Sequence, residues 1–248
     1  MKITTATAKG QRSYQEDRFI NVALPEGTLL GVFDGHGGPE VAQILSEDFE
    51  SFFAFYLKNF TASQALHRTI YMLNTQTRHL RAGSTLSVVF IPKEEDLAVC
   101  AVLGDSPIII RDAEGKISVS PDHNVRTNLA EAKAAKARGG FISNGYLFAS
   151  YRADGLQMAR ALGDAALDKV LSRVPDIYGV VLGPDSFVLV ATDGAFDPGH
   201  YDFDKAAGAV VLMLDKGVGV DAQTLVDRAL AVQTGDNVTC ILARMGAQ

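Results

Sequence analysis

The stretch LLGVFDGHGG, Leu29 to Gly38, decides how this chain is read. Leu29, Leu30, Val32 and Phe33 form an apolar run of strand length, and it stops at Asp34. Gly35-His36-Gly37-Gly38 follows, and a helical pattern begins at Pro39. An aspartate at the end of a buried strand is held by rigid backbone, where it can be aimed. Asp-Gly after a strand is also an ordinary turn signal, so this stretch alone leaves two readings open.

The chain then repeats the device. LAVCAVLG leads into Asp105-Ser106, and FVLVAT leads into Asp193-Gly194, with Asp197 four residues on. Asp236-Asn237 opens the strand-like run VTCIL. An aspartate that ends one strand and another that begins its antiparallel neighbour lie at the same end of a sheet. These carboxylates can therefore converge, and Glu16-Asp17 can join them from the first hairpin. Taken singly, each is a common turn or loop residue; joint repetition at strand ends is not common.

Outward from these points, residues 2–8, 19–24 and 28–33 read as strands, the last two as a hairpin broken at Pro25-Glu26-Gly27. Val41, Ile44, Leu45, Phe49, Phe52, Phe53 and Tyr56 recur at helical spacing. Thr61 and Gln64 form a capping box for a second helix bearing Leu66, Ile70, Leu73 and Leu80. Strands are expected at 85–91, 97–103, 108–111, 116–120, 187–191 and 238–243. Helices are expected at 128–138, around 205–214 and at 222–232. Asn144-Gly145 between apolar pairs marks another hairpin. The order and the antiparallel signals predict an α+β fold, with two antiparallel sheets packed together and helices outside. One domain over residues 1–248 is expected, with an irregular, flap-like insertion at about residues 121–160.

The 248 residues are 47% hydrophobic and 21% charged, enough for a core and without a disorder signature. A net charge of −6 argues against a nucleic-acid partner, which needs a basic surface. Cys100 and Cys240 sit in apolar runs and read as buried thiols, and neither is followed by arginine six positions on, which removes cysteine-nucleophile phosphatase chemistry. The amino terminus lacks the apolar core of a signal peptide and no window approaches a membrane span, so a cytoplasmic, reducing address is expected.

Several carboxylates gathered without lysine partners raise one another's pKa. The usual resolution is a hard divalent cation, Mg²⁺ or Mn²⁺. Two such ions ~4 Å apart can bridge a water and hold a phosphoryl group for in-line attack. Arg12 offers a planar donor fork for phosphate oxygens, and His36 is placed beside Asp34 to protonate a leaving oxygen.

RSYQED, VFDGHGG, GSTLSVVF, AVLGDS, LQMARALGD, VLVATDGAFD and DNVTCIL, in this order, resemble the successive motifs of the type-2C metal-dependent serine/threonine protein phosphatases. The resemblance runs from about residue 10 to residue 244. It implies a four-layer α-β-β-α sandwich and hydrolysis of phosphoserine and phosphothreonine in phosphoproteins by a water bridging two Mg²⁺ or Mn²⁺ ions, without a phosphoenzyme. By resemblance Asp34 bridges both metals and Gly35 offers its carbonyl. Asp193 and Asp236 complete one metal, and Glu16 and Asp17 hold the other largely through waters. Asp105 and Asp197 match positions that bind a third, weaker ion. Arg12 matches the phosphate-binding arginine and His36 the proposed general acid. Asp122-His123, Gly139-Gly140, Arg160 and Gly163-Asp164 match positions read as structural, and the variable flap falls at about 124–155. Pro107 departs from the arginine many relatives carry after Gly-Asp-Ser, and Phe196 stands where they often have tryptophan. The chain ends just past the final strand, so no appended module is expected, and a monomer is. The alternatives are a pseudophosphatase, using the same sandwich as a binding module, and a metal-dependent phosphodiesterase or nuclease, against which the acidic charge counts.

Overall fold

The computed structural model describes residues 1–151, 154–197, 203–216 and 219–246. In chain order the elements are β1 (Lys2–Ala8), β2 (Arg18–Leu24), β3 (Gly27–Phe33), β4 (Gly35–His36), α1 (Glu40–Leu57), α2 (Ala62–Thr77) and β5 (Gly83–Ser84). Then come β6 (Leu86–Pro92), β7 (Leu97–Leu103), β8 (Ile108–Arg111), β9 (Ile117–Val119), α3 (Leu129–Ala137), β10 (Phe141–Ser143), β11 (Tyr146–Phe148) and β12 (Leu162–Gly163). The chain closes with β13 (Asp176–Val181), β14 (Phe187–Ala191), α4 (Phe203–Lys216), α5 (Ala222–Ala231) and β15 (Val238–Arg244).

Two five-stranded sheets form the centre, ordered β1-β15-β14-β8-β9 and β13-β7-β6-β3-β2, with antiparallel pairing throughout. Their central strands β3, β6, β7, β14 and β15 are buried on both faces, which is why they read as continuous apolar runs rather than alternating ones. In β3, Leu30 and Val32 pack toward the other sheet, against Val188, Val190 and Ile241. Leu29 and Phe33 point the other way, into the core beneath α1 and α2 with Leu45, Phe49 and Phe53. In β14, Phe187 and Leu189 meet Val210, Leu214, Leu225 and Val226 of α4 and α5. Three apolar layers between four layers of structure give the α-β-β-α sandwich. Each such Leu or Phe, fully buried, contributes roughly 1.5–3 kcal/mol by transfer from water.

The capping box of α2 is present, with Thr61 accepting from the Gln64 amide. The Asn144-Gly145 turn has both residues in the left-handed region, at φ 51° and 79°, as a two-residue hairpin of this type requires. A fourth apolar cluster, including Val125, Ala135, Leu147, Ala161 and Leu171, gives residues about 121–171 a small core of their own beside the sandwich. Asp197 precedes Pro198-Gly199, a pair that reads as a loop opening and lies outside the described residues. No described helix is long and apolar enough to cross a membrane.

Candidate active site

Because β3 and β7 both pair antiparallel with β6, they run in the same direction and deliver Asp34 and Asp105 to one end of their sheet. In the second sheet, the Ala191–Cys240 register places Asp193, just past β14, beside Asp236, just before β15. The two sheet ends coincide, since Asp34 feels the charges of Asp17, Asp193, Asp236 and Asp105. Backbone and hydroxyl contacts fix these turns. The Asp34 amide donates to Thr85 Oγ1 (3.1 Å), the Thr85 amide donates back to the Asp34 carbonyl (3.0 Å), and the Thr85 and Ser106 hydroxyls bond at 2.7 Å. Gly35 is buried and pairs with Ser84 in the small sheet β12-β5-β4.

Glu16 and Asp17 are not a solvated turn. Asn237 accepts the Glu16 amide (2.8 Å) and donates to the carbonyls of Lys9 (2.8 Å) and Tyr14 (2.9 Å), which clamps the first loop onto the start of β15. Glu16 Oε1 accepts the Gly38 amide at 2.7 Å. Asp17 is 4% exposed, and its Oδ2 accepts from the hydroxyls of Thr239 (2.8 Å) and Thr192 (3.0 Å).

Burial and this gathering of like charges both act against the ionised carboxylates. Burial pushes the Asp17 carboxyl up to about 7; the two threonine hydrogen bonds pull it down, and the charges of Asp193 and Asp236 push it further up. Burial, then neighbouring carboxylates, holds Asp34 and Asp105 well above the usual carboxylate range. Asp17 Oδ1 is buried with no hydrogen-bond partner. An all-oxygen donor set carrying unbalanced negative charge and one unsatisfied carboxylate oxygen fits a hard divalent cation. Among the described residues, no three such side chains close into a ready-made coordination sphere.

Arg12 reaches the rim of the same site. Its Nη2 donates to Asp236 Oδ2 (2.8 Å) and its Nε to the Gly235 carbonyl (3.1 Å), and with Asp193, Asp197 and Asp236 it lines a cavity of about 340 Å³. Asp197 Oδ2 accepts the Gly235 amide at 2.7 Å, so it also shapes the turn before Asp236. Asp105 accepts from Asn124 Nδ2 at 2.9 Å.

His36, expected beside Asp34 as a proton donor, is held by the carboxylate that follows β12. Its Nε2 bonds both carboxylate oxygens of Asp164 (3.0 and 2.9 Å), and it lines a second cavity of about 500 Å³ with Arg81, Asp154 and Leu156. Asp164 is buried, with φ 50°. A Cβ on Gly83 would fall 2.1 Å from Asp164 Oδ2 and 2.3 Å from His36 Nε2, so only glycine leaves room for this pair.

Sequence reasoning passed over Asn237, Thr192, Thr239, Thr85 and Asn124, and read Asp164 as structural. All are small polar residues whose importance lies in a partner far along the chain. For Asn237 and Thr192 the available signal was their position, one residue from a strand-end aspartate in a segment otherwise apolar; Thr85, Thr239 and Asn124 carry no such mark. His123 and Arg160 do serve as supports. His123 Nδ1 accepts the Gly104 amide (2.9 Å), and Arg160 pairs with Glu131 and Asp176.

A sandwich with carboxylates from both sheets at one end can be compared with known proteins. The Protein phosphatase 2C family model matches residues 6–238. A probable protein phosphatase 2C of Paramecium tetraurelia is 29% identical, over 94% of this chain and 89% of its own. Protein phosphatase 1L of Bos taurus is also 29% identical, over 98% of this chain and 72% of its own. The crystal structure of serine-threonine phosphatase 2C from Toxoplasma gondii superposes with a TM-score of 0.77 at 21% identity, covering 97% of this chain and 93% of that one, a likeness of fold. A family match over nearly the whole chain, on a fold that gathers these aspartates, leads to one conclusion: the chain belongs to the protein phosphatase 2C family of metal-dependent serine/threonine protein phosphatases.

Proposed function

We propose that this protein hydrolyses phosphoserine and phosphothreonine monoesters of phosphoproteins, using two Mg²⁺ or Mn²⁺ ions and a third, weaker one. The observation that carries the reading is the gathering of Asp17, Asp34, Asp105, Asp193 and Asp236 at one end of the two sheets, with Asp17 Oδ1 buried and without a hydrogen-bond partner. Asp34 would be shared between two ions, with the Gly35 carbonyl beside it. Glu16 and Asp17 would serve one, Asp193 and Asp236 the other, and Asp105 with Asp197 the third. When bound, such ions lower the pKa of water and offset charge growing on phosphoryl oxygens.

The chain's own residues do the rest. Arg12 binds and orients the phosphoryl oxygens with its planar fork. Asp236, already at 2.8 Å, fixes that fork at the cavity rim. Asp164 orients the His36 ring, and His36 holds the proton that the leaving serine or threonine oxygen requires.

Phosphate release from a phosphothreonine peptide tests this with Mn²⁺, with EDTA, and with Asp193→Asn. Release that needs metal and is lost in the variant is the expected result. A folded protein that binds Mn²⁺ yet releases no phosphate would instead be a binding module on the same scaffold.

A further inference from the structure

In the small sheet, His36, Gly83 and Gly163 lie side by side across β4, β5 and β12, and β12 is an edge strand. The carbonyls of Ala161 and Gly163, two residues apart, leave that edge on the same side. Arg173 takes both of them. Its Nη1 donates to the Ala161 carbonyl and its Nη2 to the Gly163 carbonyl at 2.5 Å. The main chain brings it there: the Ser172 amide donates to the Ala159 carbonyl (2.9 Å), and Arg160 and Ser172 form a parallel bridge. One residue on, a guanidinium stands in for the next strand. The Arg173 side chain is only 13% exposed, and its Nη2 lies 3.6 Å from Asp168 Oδ1. Arg78, at the end of α2, donates to the other Asp168 oxygen at 3.0 Å. Burial pulls the guanidinium below its usual value, while the charges of Asp164 and then Asp168 hold it up. The clamp bears on two successive residues in the left-handed region, Gly163 at φ 80° and Asp164 at φ 50°. A residue with a Cβ keeps such a conformation where its surroundings impose it. On the inner side the Asp164 amide donates to the Ala82 carbonyl and the Ala165 amide to the Leu80 carbonyl, both at 2.9 Å.

We infer that Arg173 is a positioning residue for the proton donor: it clamps the Ala161 and Gly163 carbonyls on the outer side of this turn and so keeps the Asp164 carboxylate aimed at His36 Nε2. The inference rests on the reading above, in which His36 holds the proton for the leaving oxygen. Arg173 touches neither the phosphoryl group nor His36, and acts through the turn between them. A planar fork serves two carbonyls at once and stays charged when buried, whereas lysine supplies the charge without the fork.

Two readouts test this, and one needs no turnover. In EDTA, at one fixed pH above the imidazole range, long-range ¹H–¹⁵N spectra read both His36 ring nitrogens through its carbon-bound protons. Wild type should show the Nε2–H tautomer that donates to Asp164. Arg173→Met should shift toward a mixture of tautomers while the backbone amide spectrum stays native elsewhere. An unchanged ring would overturn the inference. In kinetics, Arg173→Met should lower kcat on a phosphothreonine peptide about tenfold or more, with KM within about twofold, and alter aryl phosphate turnover far less. In an Asp164→Asn background the same substitution should change the peptide rate by no more than about twofold, because the group it positions is already disabled. A merely structural arginine would lower both substrates equally and multiply with Asp164→Asn, and either result would overturn the inference. A protein that binds Mn²⁺ but releases no phosphate would sink the phosphatase reading, and the ring spectra would then decide this one alone. Should Arg173→Met not fold, Arg173→Lys should give the same pattern at smaller amplitude.

Discussion

Asn237 and Glu16, 221 positions apart in the chain, meet through one hydrogen bond of 2.8 Å, and Asn237 is almost fully buried where they meet. The same side chain holds two carbonyls of the first loop, so a single amide fastens Lys9, Tyr14 and Glu16 to the last strand. Removing it strands three backbone groups at once. Asn237→Ala is expected to destabilise the fold by about 2 kcal/mol or more and to weaken Mn²⁺ binding at least tenfold. Urea titration and calorimetric metal titration check the two parts. A change within ~0.5 kcal/mol would show that water replaces the amide.

His36 and Asp164 should behave as a unit. His36→Ala and Asp164→Asn are expected to lower kcat on phosphopeptides by about 10²–10⁴-fold and far less on aryl phosphates, whose leaving groups need no proton. The double variant should be no worse than either single one. Equal losses on both substrate types would remove the proton-donor role. Gly83→Ala, which drives a methyl into the pair, should reproduce the phosphopeptide defect and cost about 1–3 kcal/mol of stability.

The elevated carboxyl of Asp17 ties metal-free stability to pH. An unfolded aspartate titrates near 4. Asp17 is pushed up to about 7, so between these values the folded chain holds a proton that the unfolded chain has lost. Its contribution is therefore favourable at low pH and declines as pH rises through 7. In EDTA, Asp17→Asn should gain stability over wild type as pH goes from 5 to 8. Saturating Mn²⁺ should reverse the order, stabilising wild type by about 2.7 kcal/mol at a hundredfold excess over Kd. Parallel pH curves for the two proteins in EDTA would refute the argument.

Asp221 gives the opposite sign. It caps α5 by accepting the Thr224 amide (2.9 Å) and hydroxyl (2.8 Å), and these bonds hold its carboxyl below the usual range. The contribution is present at neutral pH and is lost as pH falls through the folded value. Asp221→Ala should cost about 1 kcal/mol at pH 7, with the gap closing below pH ~4. A gap unchanged at pH 3 would mean that the charge plays no part in the cap.

Most of the sandwich was legible because its strands are long, apolar and separated by strong turn residues. β13 was not. It lies at a sheet edge, follows Pro175, contains Gly179 and is nowhere fully buried, so neither periodicity nor composition marks it. The two-residue strands β4, β5 and β12 are too short to carry a period, yet they bring His36 to Asp164. Asp34, Asp105, Asp193 and Asp236 could be found because strand ends are readable. Their hydroxyl and amide supports could not, since Thr192 and Thr239 look like ordinary β-formers until Asp17 is seen between them. Arg12 was found as a residue, but its tie to Asp236 was not.

One feature of the architecture reaches beyond chemistry. Asp34 and Asp105 belong to one sheet, and Asp193 and Asp236 to the other, so neither sheet owns the site. A cation held by both pairs, as proposed above, would be a rivet through the seam. Ion affinity therefore reports how well the two sheets are docked, and substitutions in the seam far from the aspartates, at Val89 or Ile241, should be audible in metal titrations before they register in the spectrum of the fold.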